Sequence, residues 1–96
     1  MGDGLETRRR RAVWRSSHRG TKELDLLIGG YAKARLAAMS EEELSHFETF
    51  LAVNDPQLQE WLLAPQEKAE PGFAELVASV REFHGLAREK DRPEGN

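Results

Sequence analysis

The side chains best able to do chemistry in this chain are three histidines, a run of four arginines and one charged cluster around a glycine. His18, His46 and His84 offer imidazoles for proton transfer or metal ligation, but they share no HxxxH or HxxE spacing. A zinc-type site needs ligands that converge from such spacings, so these rings are expected to be solvated or partly packed, with no metal bound. The serines lack the strand–turn–helix setting of a nucleophile elbow, and no glycine-rich loop follows a strand to cradle phosphate. Carboxylates are abundant, yet most fall at expected helix starts, where the positive end of the helix dipole accounts for them. The absence of cysteine removes disulfides, zinc–thiolate sites and a thiol nucleophile together. The expectation is a chain with no catalytic residues of its own, acting through contacts and not as an autonomous enzyme.

The charged cluster is "HRGTKELD", His18 to Asp25. Arg19 and Glu23 are four residues apart, so on a helix they form an ordinary surface pair worth a few tenths of a kcal/mol. Glu23 is also favoured near a helix N-terminus. That reading leaves Gly20 unexplained, since alanine favours a helix by ~1 kcal/mol over glycine. The other reading makes Gly20 a bare patch of backbone that another chain approaches closely, with the surrounding charges fixing register. Gly29-Gly30 further on is read as close helix packing or a local bend. The run Arg8 to Arg11 could contact nucleic-acid phosphates. Four consecutive arginines point around most of a helix, however, and neither helix-turn-helix spacing nor aromatic–basic interleaving accompanies them. They are read as a basic head that steers a protein encounter.

The elements that position these residues are helical throughout. Apolar residues at Leu24, Leu27, Ile28, Tyr31, Ala34 and Ala38 follow the three-and-four spacing of one helix face, predicting a helix that ends near Met39. Ser40 and Glu43 make a capping box for the next helix, which buries Leu44, Phe47, Phe50 and Leu51. In "NDP", Asp55 can cap and Pro56 suits a first helical position, followed by Leu58, Trp61 and Leu62 as a short stripe with Trp61 in the core. Phe73, Leu76, Val77, Val80, Phe83 and Ala87 outline the last helix, and a weaker signal predicts an opening helix over Leu5 to Ser17. No segment alternates as a strand does. The fold class expected is all-α, a compact five-helix bundle, with residues 1–90 as a single helical domain and 91–96 as a flexible polar tail.

The composition agrees with this. Ninety-six residues allow one domain, and 39% hydrophobic residues with a net charge of -3 fit a soluble globule. No apolar run approaches the ~20 residues of a membrane span. The first residues carry no apolar signal core, and Glu6 stands where a myristoylation signal wants Ser or Thr, so a bacterial cytoplasmic location is expected. Residues 1–23 hold seven Lys or Arg against three Asp or Glu, whereas residues 24–96 hold seven against fourteen. A basic head on an acidic body suggests a face for an anionic partner.

The segment "RGTKELD" resembles the Arg-Gly-x-x-Glu signature of the SdhE-type FAD assembly factors. "RRRRAVWRSSHRGTKELDLLIGGYA" resembles that family's first two helices, "LSHFETFL" its third, and "NDPQLQEWLL" its Asp-x-x-Leu-x-x-Trp-Leu segment, covering roughly Thr7 to Phe83 in order. The resemblance implies an all-helical five-helix fold. It also implies a partner, the flavoprotein subunit of succinate dehydrogenase and, in some bacteria, that of fumarate reductase. FAD is then the partner's cofactor, bonded to a histidine of the partner, and is not held stably by this chain. Carried over by position, Arg19, Gly20 and Glu23 are the contact motif. Arg15, Lys22 and Asp25 complete the expected partner-binding set. His18 stands where many relatives carry a second basic residue, and Gly29-Gly30 is no part of the pattern. The alternative expectation is an antitoxin-like or regulatory binding module independent of flavin, which a pull-down distinguishes by the partner recovered.

Overall fold

Three polar side chains open three of the helices, each by accepting a backbone N–H that the first turn leaves unpaired. The computed structural model describes residues 3–64 and 69–86. In it Thr21 accepts from the N–H of Leu24, Ser40 from Glu43 and Asn54 from Gln57. Ser40 and Glu43 complete the expected capping box, the Glu43 carboxylate accepting the N–H of Ser40 at 2.8 Å. The helices are α1 (Asp3–Ser17), α2 (Lys22–Arg35), α3 (Glu41–Leu51), α4 (Asp55–Leu63) and α5 (Ala74–Phe83). Tighter 3-10 turns at Leu36–Ala38 and Pro71–Phe73 extend α2 and precede α5. The protein is all-α, with five helices and no strand among the described residues. Two local expectations are corrected. Asn54, not Asp55, caps α4, and Phe73 lies in the 3-10 turn ahead of α5.

The core is a stack of apolar side chains from α2 to α5. Leu24, Ile28, Leu44, Phe47, Phe50, Leu58, Leu62 and Val80 are fully buried, and Trp61 is in the core as expected. On α2 the stripe continues through Ala32 and Leu36, while Ala34 and Ala38 are exposed. Successive steps of four from Leu24 and Ile28 reach Ala32 and Leu36, and the helix keeps those positions on the face already turned inward. Aromatic rings run through the stack. Tyr31 lies against Phe47 at 6.2 Å, Phe47 against Phe50 at 5.9 Å, Phe50 against Phe73 at 5.6 Å, and Phe73 against Trp61 at 5.9 Å. Tyr31 also meets Phe83 edge-on at 5.8 Å. Phe83 is partly exposed, with the Arg35 guanidinium 5.3 Å over its ring. Arg81 is buried and donates to the carbonyl of Leu62 in the last turn of α4, where carbonyls lack helical partners. Ala87 and the tail at 91–96 lie outside the described residues. No helix of the described residues is long and apolar enough to cross a membrane.

α1 is held differently. Ala12 is its one fully buried apolar side chain among the described residues, with Leu5 and Val13 packed at the margin. Gly29 of α2 lets α1 come close, since a Cβ there would stand 2.8 Å from Ser17 Oγ and 3.1 Å from Ser17 Cα. This is the close packing expected of the glycine pair. Gly30 faces His84 instead, whose Nε2 lies 2.7 Å from the carbonyl of Leu27.

The arginine run divides into two pairs. Arg8 donates to Glu48 at 2.8 Å and to Ser45 at 2.9 Å, with Glu41 at 3.3 Å, while Arg9 donates to the carbonyl of Met39 at 2.8 Å. Arg10 and Arg11 are exposed. The hydrogen bond from Arg8 holds the Glu48 carboxyl below its ordinary value of 4.5, against an opposing effect of burial, and the charges of Arg8, Arg15 and Arg11 add to the lowering. Arg8 is raised above its ordinary value by the same contact. A carboxyl lowered in the folded state stabilises it fully above the unfolded pKa and loses that contribution as pH falls through the folded one. Thermal melts of the wild type and Glu48→Gln should therefore differ at neutral pH and converge as the pH is taken below 4.5. The gap should also narrow in high salt.

Candidate partner-binding site

Between α1 and α2 the chain reverses over His18 to Thr21, and two carboxylates from elsewhere hold it in place. Asp25, in the first turn of α2, accepts the backbone N–H of Arg19. Asp55, at the start of α4, grips the next two groups. Its Oδ1 accepts from Arg19 Nε at 3.0 Å and from Arg19 Nη2 at 2.7 Å, and its Oδ2 accepts the N–H of Gly20 at 2.7 Å. Arg19 Nη2 also donates to the carbonyl of Val53 at 3.3 Å. The Arg19 side chain is only 11% exposed, so its charge is turned inward onto α4. Charge-assisted bonds of this kind are the stronger class of hydrogen bond.

Gly20 has a steric reason within the chain itself. A Cβ at position 20 would lie 2.7 Å from Asp55 Oδ2, inside any permitted contact. That oxygen belongs to a short side chain whose other oxygen is held by Arg19, so making room for a Cβ disturbs the pair. The sequence leads one to expect another chain to approach the bare backbone at Gly20; the group that approaches it in the structure is Asp55 of the same chain.

The remaining motif residues face outward. Lys22 and Glu23, the first two residues of α2, are exposed, and neither pairs with another described residue. The Arg19–Glu23 surface pair does not form, because Arg19 precedes the Thr21 cap and is outside the helix. Glu23 is supported by the positive end of α2. Arg15 is half-buried in the last turn of α1, with its charge acting on Glu48. The structure thus gathers five of the six expected residues at one junction, leaving Arg15 on α1 with its charge toward Glu48, and it divides those five. Arg19 and Asp25 brace the turn, Lys22 and Glu23 project from it, and Gly20 admits the carboxylate between them.

Apolar surface flanks the junction. Trp14 is 61% exposed and stacks on His18 at 4.1 Å, and Leu26 is 71% exposed on α2. An open groove of about 500 Å³ lies beside it, lined by Thr21, Asp55, Pro56, Gln59 and Leu63 among others. Exposed aromatic and aliphatic side chains beside fixed charges suit a surface that another protein covers. Among the described residues, no three His, Asp or Glu side chains come together as metal ligands.

Sequence reasoning missed Asp55 as a member of this site, since "NDP" reads locally as a helix start. The signal available was redundancy. Asn54 suffices as the cap, which leaves the neighbouring carboxylate free for another task.

Comparison with known proteins places this geometry in context. The sequence model of the family described as the flavinator of succinate dehydrogenase matches residues 10–84. The FAD assembly factor SdhE of Acetobacter pasteurianus is 43% identical over 82% of this chain and 76% of its own length. That of Legionella pneumophila strain Paris is 34% identical over 74% of this chain and 87% of its own. The mitochondrial succinate dehydrogenase assembly factor 2 of Aspergillus terreus is 37% identical over 74% of this chain, a match that spans 23% of that protein. No solved structure matches the chain. With a match that takes in α2 to α5, the second half of α1 and the whole braced turn, the chain belongs to the SdhE family of succinate dehydrogenase flavinators.

Proposed function

We propose that this protein is an accessory factor that binds the flavoprotein subunit of succinate dehydrogenase and promotes covalent attachment of FAD to it. The observation that carries this reading is the family match across residues 10–84, which contains the braced turn and both outward charges. FAD and the histidine that receives it belong to the partner. The factor contributes no reacting group. It docks through Glu23 and Lys22, with Trp14 and Leu26 as flanking apolar contacts, and orders the partner's mobile parts around the flavin. Proximity and preorganised electrostatics then lower the barrier to a reaction whose groups all lie in the partner. The same surface serves the flavoprotein subunit of fumarate reductase where that enzyme is present. The work takes place in the bacterial cytoplasm, on newly made subunits.

The test is covalent flavin fluorescence on a denaturing gel. Apo flavoprotein subunit and FAD are incubated with and without this protein, with each of the two enzymes' subunits in turn. A band that grows faster with the protein present is the expected result. Equal bands under conditions that permit flavinylation overturn the reading.

A further inference from the structure

We infer that Asp55 is a positioning residue for the partner site, and that Arg19 acts through Asp55 and not by touching the partner. The inference rests on the assembly-factor reading above and deepens it. Both oxygens of Asp55 are engaged by the turn, Oδ1 by two nitrogens of Arg19 and Oδ2 by the N–H of Gly20. The guanidinium that would otherwise offer a bidentate grip to a partner carboxylate is therefore already committed. Its third contact, to the carbonyl of Val53, ties the same side chain to the segment just before α4. With its side chain 11% exposed, Arg19 has little surface left to present.

The consequence falls on Glu23 and Lys22. They stand immediately after a turn that has three fixed points. Asp25 holds the Arg19 N–H, Asp55 holds the Arg19 side chain, and Asp55 also holds the Gly20 N–H. Asp25 lies on α2 itself and fixes only local shape. Asp55 lies on α4, 35 residues beyond Gly20 in sequence, so it alone of the two carboxylates sets the turn's position against the rest of the bundle. A partner contact made by an exposed carboxylate tolerates little displacement, because a charged hydrogen bond weakens steeply with distance and angle. Removing the Asp55 charge should therefore move Glu23 without altering Glu23 itself.

A double-mutant cycle tests this. Asp55→Asn, Arg19→Gln and the double variant are titrated against the apo flavoprotein subunit with FAD, and the half-saturating concentration for flavinylation is read well below each variant's melting temperature. The expected result is a rise of about tenfold or more for Asp55→Asn, with no additional rise when Arg19→Gln is combined with it. Asp55→Asn and Glu23→Gln should likewise fail to add. If Arg19 touches the partner directly, its substitution raises the half-saturating concentration as much in the Asp55→Asn background as in the wild type, which overturns the inference. A lowered melting temperature with unchanged half-saturation also overturns it, since that is the signature of a purely structural pair. Asp55→Glu, which keeps the charge, should recover part of the loss; no recovery beyond Asp55→Asn counts against positioning by the ion pair. Should the wild type itself give no stimulation, the assembly-factor reading falls and this inference with it, an outcome separate from an additive cycle on an active wild type.

Discussion

Gly20→Arg is expected to cost the protein both stability and its effect on the partner, whereas Glu23→Ala should cost chiefly the effect. A Cβ added at position 20 stands 2.7 Å from Asp55 Oδ2, so that carboxylate must shift, which strains or breaks its bonds to Gly20 and Arg19. Losing charge-assisted hydrogen bonds at a partly buried pair costs about 1.5–3 kcal/mol. For a domain of this size that lowers the melting temperature by ~4–8 °C per kcal/mol. The apolar core begins at Leu24 of α2 and is untouched, so the helical circular dichroism should remain. Glu23, by contrast, is exposed with no ion-pair partner among the described residues, so its loss removes only its favourable place at the start of α2, up to about 1 kcal/mol. Both variants should lower the stimulated flavinylation rate by about tenfold or more, the scale of a lost charged contact. The pair is informative together. Normal flavinylation by Glu23→Ala at wild-type stability would remove Glu23 from the partner contact, and an unchanged melting temperature for Gly20→Arg would contradict the Asp55 clamp.

Phe47→Ala should produce the largest loss of stability of any single truncation considered. Phe47 is fully buried on α3 and sits between Tyr31 of α2 and Phe50 in the chain of rings. Truncating a buried phenylalanine costs about 3–5 kcal/mol from lost transfer energy and the cavity left behind. Domains of this size have about 5–15 kcal/mol in total, so the effect takes a large part of what is available. It exceeds the cost of breaking the Arg19–Asp55 pair because a whole ring is removed from water-excluded contact, whereas the ions regain hydration. Thermal melts and urea titration should both show a loss of this order. A fall of only a few degrees would mean that neighbouring rings close the cavity. Phe47 lies outside the turn, so the variant should still stimulate flavinylation at temperatures where it is folded.

What the sequence reveals and what it conceals follow a physical line. The capping box at Ser40, the core positions of α3 and the short stripe of α4 depend on residues within one or two turns of each other, and local spacing specifies them. The end of α2 is less legible. An alanine is compatible with either face, so Ala34 and Ala38 look as apolar in sequence as Ala32, and only packing against the other helices selects Ala32 and Leu36. The site shows the same limit more sharply. The place of Arg19, Gly20 and Glu23 in a charged junction is legible from their types and order, but the partner of Arg19 lies 36 residues away. No periodicity connects those positions. The local rules instead offered Glu23 as the partner of Arg19 and a capping role for Asp55. Both are sound for an uninterrupted helix or an isolated helix start, and both yield to a tertiary contact that satisfies more donors.

The uneven attachment of α1 sets an order in which the molecule comes apart. The rings that link α2, α3, α4 and α5 make those helices mutually dependent, while α1 adds one fully buried methyl side chain, Leu5 and Val13 at the core's margin, the arginine contacts to α3 and Met39, and a small-residue seam at Gly29. Hydrophobic burial is the main source of cooperativity, so amide hydrogens of α1 should exchange with solvent through openings that leave the other four helices closed. Such openings stop at the Arg19–Asp55 pair, which fastens the far end of the junction to α4. The pair is thus the boundary between a separable first helix and a core that unfolds as one unit.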